Sequence, residues 1–100
     1  MITDRQTKIL QEARDFAYAE LKDETSGHDW WHIVRVTNIA VEIAKQEQAD
    51  AFICELSALL HDIADGKLNE NEEVGLQKVE QWLQNHQASD AEIAHVLDII

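Results

Sequence analysis

No proline occurs anywhere in this chain of 100 residues, and glycine occurs only three times. Both residues interrupt helices, so their scarcity leaves the α-helix as the regular structure that nearly the whole length can adopt. The apolar residues recur at helical spacing. Ile9, Leu10, Ala13, Phe16, Ala17 and Leu21 mark a first helix starting at Thr3, where Gln6 is placed for a capping box. Asp23-Glu24-Thr25-Ser26-Gly27 breaks the pattern as a loop. A second helix is expected from about Asp29 to about Gln48, with Val36, Ile39, Ala40, Ile43 and Ala44 as its buried stripe. Residues 49–51 form a corner. A third helix carries Phe52, Leu56, Leu59, Leu60 and Ile63 and stops at Gly66. A polar loop from Lys67 to Glu73 leads to a fourth helix through Val74, Val79, Trp82 and Leu83. Ser89 or Asp90 caps a fifth, with Ile93, Val96, Leu97 and Ile100 on one face. The prediction is one all-α domain of five helices over residues 1–100, without internal repeats or a dividing linker.

Composition narrows the partners. Acidic residues outnumber basic ones 20 to 8, a formal charge of −12. That sign disfavours a nucleic-acid polymer or an anionic membrane surface as partner. Cys54 is the only cysteine, so no disulfide forms within the chain, and its apolar neighbours suggest a reduced core residue. The first residues lack the pattern of a signal peptide, and no apolar run approaches the roughly 18–20 residues that span a bilayer. A cytoplasmic protein is expected.

The chemistry is concentrated in His28, Asp29, His32, His61, Asp62 and Asp65. Imidazoles and carboxylates together suit a borderline divalent ion. Adjacent helical residues differ in direction by about 100°, so His61 and Asp62 share one ion only if it sits obliquely off their helix. A neighbouring helix must then close the site, and His32 is the natural contributor. Taken singly, each histidine reads better as a partly buried polar residue. As a His-Asp doublet after Ala58-Leu59-Leu60, the pair points to a metal, because a carboxylate in apolar surroundings is costly unless paired or coordinated.

The segments Gly27-His28-Asp29-Trp30-Trp31-His32-Ile33-Val34-Arg35-Val36 and Ala58-Leu59-Leu60-His61-Asp62-Ile63-Ala64-Asp65 resemble the HD superfamily of metal-dependent phosphohydrolases. They are most similar to its small bacterial members with a GHDxxHxxRV segment. The resemblance covers nearly the whole chain. It implies an HD-domain helical bundle and one divalent metal (Mn²⁺, Fe²⁺, Co²⁺, Zn²⁺ or Mg²⁺) held by His32, His61 and Asp62. It also implies a last aspartate ligand from a helix after Ile100, so the chain is expected to be part of a longer protein lacking the C-terminal helices. An apolar face left uncovered by their absence, on the fifth helix and part of the third, predicts self-association.

Such a metal leaves room for water and a phosphate oxygen. Asp65, one turn beyond the doublet, is the candidate to orient or deprotonate the attacking water. Arg35, three residues after His32, is placed to clamp a phosphate, and Lys67 to neutralise a second. The expected function is hydrolysis of a nucleotide or another small phosphoester. Alternatives are a non-catalytic HD module sensing metal or nucleotide, and an acidic helical interaction domain with structural histidines. Glu92-Ile93-Ala94-His95 has the form used in di-iron bundles, which need two such motifs. His28 and His32 lack the glutamate of a zinc protease. Trp82 reads as core, whereas Trp30 and Trp31 are balanced between core and pocket wall. His86 and His95 read as surface residues.

Overall fold

The computed structural model describes residues 2–23, 30–64 and 71–100. Five helices follow in order: α1 (Asp4–Leu21), α2 (Trp30–Gln46), α3 (Ala51–His61), α4 (Glu72–Asn85) and α5 (Asp90–Ile99). There is no strand among the described residues. The all-α expectation holds. Among the described residues no helix is long and apolar enough to cross a membrane.

Side-chain caps start α1, α3, α4 and α5. Thr3 and Gln6 close the expected capping box on α1, and Ser89 and Glu92 close another on α5. Asp50 and Asn71 accept from the backbone N–H three residues on, at the starts of α3 and α4. The ends of α2 and α4 expose the consequence of having so few glycines. Gln48 and Gln87 adopt left-handed backbones (φ 55° and 69°) while Ala49 and Ala88 donate back to Ala44 and Leu83. These are Schellman closures with glutamine in the place that glycine usually takes. The same turn ends α2 at Gln46, two residues before the expected Gln48.

The apolar α3 is the central post, and α1, α2 and α5 pack around it. Phe52, Ile53, Leu56, Leu59 and Leu60 are buried there, against Ile9, Leu10, Ala13, Ala17 and Leu21 of α1 and Ile93 and Val96 of α5. α4 adds Val79, Trp82 and Leu83. Trp82 is core, as expected, stacked between the rings of Phe16 and His86 at 5.4 and 3.9 Å.

Several expectations are corrected. The stripe assigned to α2 is largely not buried: Ala44 is, but Ile39 and Ile43 are 59% and 53% exposed. The face turned inward carries Ile33, Thr37 and Ala44 instead. Hydropathy marks which residues are apolar, but the rotation of α2 is set by what α3 offers it. Val74 lies outside the core, at 38% exposure, and Asn71 caps α4 two residues before the expected end of the loop. α3 ends at His61, with Ile63 buried in the turn that follows; Gly66 lies outside the described residues. Cys54 is free but only half-buried, on a groove wall rather than in the core. His86 is no simple surface residue. It caps α4, with Nδ1 2.8 Å from the Trp82 carbonyl and Nε2 3.3 Å from Glu12. His95 is exposed, as read.

Candidate functional site

The connection between α2 and α3 is only four residues long, so the helices run antiparallel and the start of α2 lies beside the end of α3. His32, in the first turn of α2, thereby meets the His61-Asp62 doublet that closes α3. Asp62 is the floor, at 1% exposure. One imidazole stands at each carboxylate oxygen. His61 Nδ1 lies 2.8 Å from Oδ1, and His32 Nε2 lies 3.6 Å from Oδ2. Both rings reach solvent above the carboxylate, so the site has a buried anionic base and an open nitrogen-lined mouth.

The helix ends add complementary fields. The N-terminus of α2 carries partial positive charge and favours an anionic group, while the C-terminus of α3 carries partial negative charge and favours a cation. A place where both ends meet suits a cation together with the anion bound to it. The donor set, two imidazole nitrogens and a carboxylate, fits a borderline divalent metal by its chemistry. Among the described residues no three His, Cys, Asp or Glu side chains are disposed so that together they could hold a metal ion. His32 and His61 each lie beside Asp62, with Asp62 hydrogen-bonded to His61.

Arg35 is exposed on α2, one turn beyond His32. His28, Asp29, Asp65 and Lys67 lie outside the described residues. The two tryptophans separate. Trp30 is half-buried and meets Tyr18 edge to face at 5.4 Å, packed on the core, whereas Trp31 is 67% exposed. The Glu92–His95 motif is explained structurally. Glu92 accepts two bonds from Arg5 (2.9 and 3.0 Å), one from Gln6 (2.9 Å) and one from the Ser89 N–H (2.8 Å). The Arg5 guanidinium is the main cause that lowers its carboxyl to about 2.

Sequence reasoning missed one feature. A groove of about 380 Å³ runs between α2, α3 and α5 and ends at His61. Val36, Ala40 and Ile43 form one wall and Cys54, Ser57 and Ala58 the other, with Ile99 and Ile100 at the α5 side. The available signal was register. Cys54, Ser57, Ala58 and His61 recur every three or four residues and share a face of α3, and small side chains there leave room.

This helical bundle with its paired His and His-Asp motifs belongs to the HD-domain family, whose model matches residues 30–100. Among known proteins, the chain is similar to the uncharacterized protein YpgQ of Bacillus subtilis (strain 168). The two are 39% identical over 75 residues, which is 75% of this chain and 37% of YpgQ. The crystal structure of YpgQ in complex with ADP superposes with a TM-score of 0.82 at 33% identity, covering 95% of this chain and 48% of that one. The selenomethionine form of YpgQ gives 0.79 at 30% identity, covering 95% and 47%. The chain thus spans about half the length of the solved relatives that it matches.

Proposed function

We propose that this chain is the metal-binding part of a cytoplasmic phosphohydrolase that cleaves a nucleotide or another small phosphoester. The observation that carries this reading is the Asp62 carboxylate, buried to 1% exposure and flanked by the imidazoles of His32 and His61. Desolvating a carboxylate costs several kcal/mol (roughly) unless positive charge compensates it, so the arrangement favours a cation. His32, His61 and Asp62 are the residues that would hold Mn²⁺, Fe²⁺, Co²⁺, Zn²⁺ or Mg²⁺. When bound, such an ion supplies Lewis-acid polarisation of a phosphoryl oxygen and acidifies a water.

The chain's own residues take the remaining roles. Arg35 clamps a phosphate oxygen pair with its planar guanidinium. Asp65 orients the attacking water and accepts its proton as the new P–O bond forms and the bond to the leaving group breaks. Lys67 neutralises a second phosphate. Asp65 and Lys67 are assigned from sequence alone. The preference for a nucleotide draws support from the ADP complex of YpgQ. That complex also favours a second reading, a nucleotide-binding HD module without turnover.

Metal uptake and phosphate release separate these readings. Protein incubated with Mn²⁺ or Co²⁺ should retain metal by elemental analysis and release phosphate from nucleoside triphosphates. His61→Ala should lower both at least tenfold with unchanged helical circular dichroism, and His95→Ala should lower neither. Metal uptake and nucleotide binding without turnover would favour the binding module. Protein that takes up no metal and releases no phosphate overturns the hydrolase reading.

A further inference from the structure

Trp31, next to His32 in the first turn of α2, has no role in the reading above. We propose that Trp31 is the platform on which the base of a nucleotide substrate stacks, and that the site thereby prefers purines to pyrimidines. The inference rests on the phosphohydrolase reading and adds to it the residue that selects the base.

A single exposed apolar side chain is ordinary on a protein surface. What distinguishes Trp31 is its company. The chain has three tryptophans, two phenylalanines and one tyrosine. Phe52 and Trp82 are buried, Phe16 and Trp30 pack against the core, and Tyr18 meets the Trp30 ring. Trp31 alone stays largely in solvent without another ring against it among the described residues. Successive helical residues turn by about 100°, so Trp31, Arg35 and His32 share an arc of about 100° on α2, with Arg35 between the other two. Side-chain tips that far apart on a helix about 10–12 Å across are separated by on the order of 8–9 Å. A ribose and its first phosphate bridge such an interval, so phosphates held at Arg35 and the imidazoles bring the base to Trp31. The apolar groove lies elsewhere. Val36 and Ala40 on its wall are turned about 140° and 180° from Trp31, so a segment covering the groove does not cover the indole.

The chemistry of the arc selects the occupant. Asn38 and Glu42 continue the Trp31 face and both are exposed, so an extended apolar partner finds one ring there and no continuous footing. A flat ring tethered to an anion meets an indole face and a guanidinium together. Every base has a π-face, so stacking on an aromatic side chain needs no particular pattern of donors and acceptors. It does depend on ring size. The two fused rings of a purine cover more of the indole than the single ring of a pyrimidine, and the apolar area removed from water grows with them.

Calorimetry with Mn²⁺ present, using ADP, UDP and inorganic pyrophosphate as probes, reads the base separately from the phosphates. Wild-type protein should bind ADP about threefold or more tighter than UDP. Trp31→Ala should weaken ADP by about fivefold or more and abolish the preference over UDP, while pyrophosphate changes less than about twofold. Trp31→Phe, which keeps a ring, should hold ADP within about threefold of the wild type. ADP should also quench tryptophan fluorescence in the wild type but not in Trp31→Phe, because Trp30 and Trp82 belong to the core and its margin. Unchanged ADP affinity in Trp31→Ala, or equal weakening of ADP and pyrophosphate, overturns the platform and leaves the hydrolase reading standing. Equal wild-type affinity for ADP and UDP overturns the purine preference. Loss of self-association in Trp31→Ala with unchanged ADP affinity would instead make Trp31 a contact between copies. Wild-type protein that binds neither ADP nor pyrophosphate removes the phosphohydrolase reading and this inference with it.

Discussion

Where the start of α1 meets the start of α5, polar side chains answer one another. Arg5, Gln6 and Ser89 converge on Glu92, and the two capping boxes share their residues with that cluster. Along the α2–α3 face the pattern reverses. Ile39 and Ile43 stand in solvent, the hydroxyls of Thr37 and Ser57 are buried without partners among the described residues, and a carboxylate is sunk between two imidazoles. Both regions use ordinary helices. The difference shows where the chain spends its residues on holding itself together and where it leaves them ready for something else.

The comparison breaks most sharply in the core beneath that face. Leu60 is fully buried in α3, so Leu60→Ala should cost about 2–5 kcal/mol by chemical denaturation. Ile39→Ser, one helix away on the open face, should stay within roughly 0.5 kcal/mol. Equal losses at the two positions would mean that the α2 face is covered in solution.

A smaller loss is expected at the polar seam. The Glu92 carboxyl is lowered from 4.5 to about 2, chiefly by the bond from Arg5. A depressed folded-state value contributes stability that is present above the unfolded value and is lost as pH falls. Stability should therefore decline between about pH 4.5 and 2, and Glu92→Gln should remove that part of the acid dependence. High salt should weaken the wild-type contribution, because Arg5 is exposed. A thermal midpoint whose acid dependence is unaltered in Glu92→Gln would show that the seam contributes geometry only.

The smallest effect has the opposite sign. Gln48 and Gln87 hold left-handed backbones that cost a residue with a β-carbon about 1 kcal/mol. Gln48→Gly and Gln87→Gly should each raise stability by roughly 0.5–1 kcal/mol at most, partly offset by the greater freedom of glycine in the unfolded chain. A loss at either position would mean that the glutamine side chain, not the turn, is what matters there.

The helices were legible in the residues alone, because capping and periodicity are local. Thr3 with Gln6 and Ser89 with Glu92 announce two helix starts from residues three apart, and α1 buries the face its spacing predicts. The His-Asp doublet was equally legible, since a carboxylate ending an apolar run is anomalous wherever that run packs. Its meeting with His32 followed from the short link between α2 and α3, which forces their opposite ends together. The rotation of α2 was not legible. Val36, Ile39, Ala40 and Ile43 are as apolar as a buried stripe, and only packing against α3 turned Val36, Ala40 and Ile43 toward a groove and left Ile39 in solvent. Ser57 was silent for the same reason. Its hydroxyl becomes unusual only once neighbouring helices have excluded water from it, and exclusion of water is a property of the packed whole.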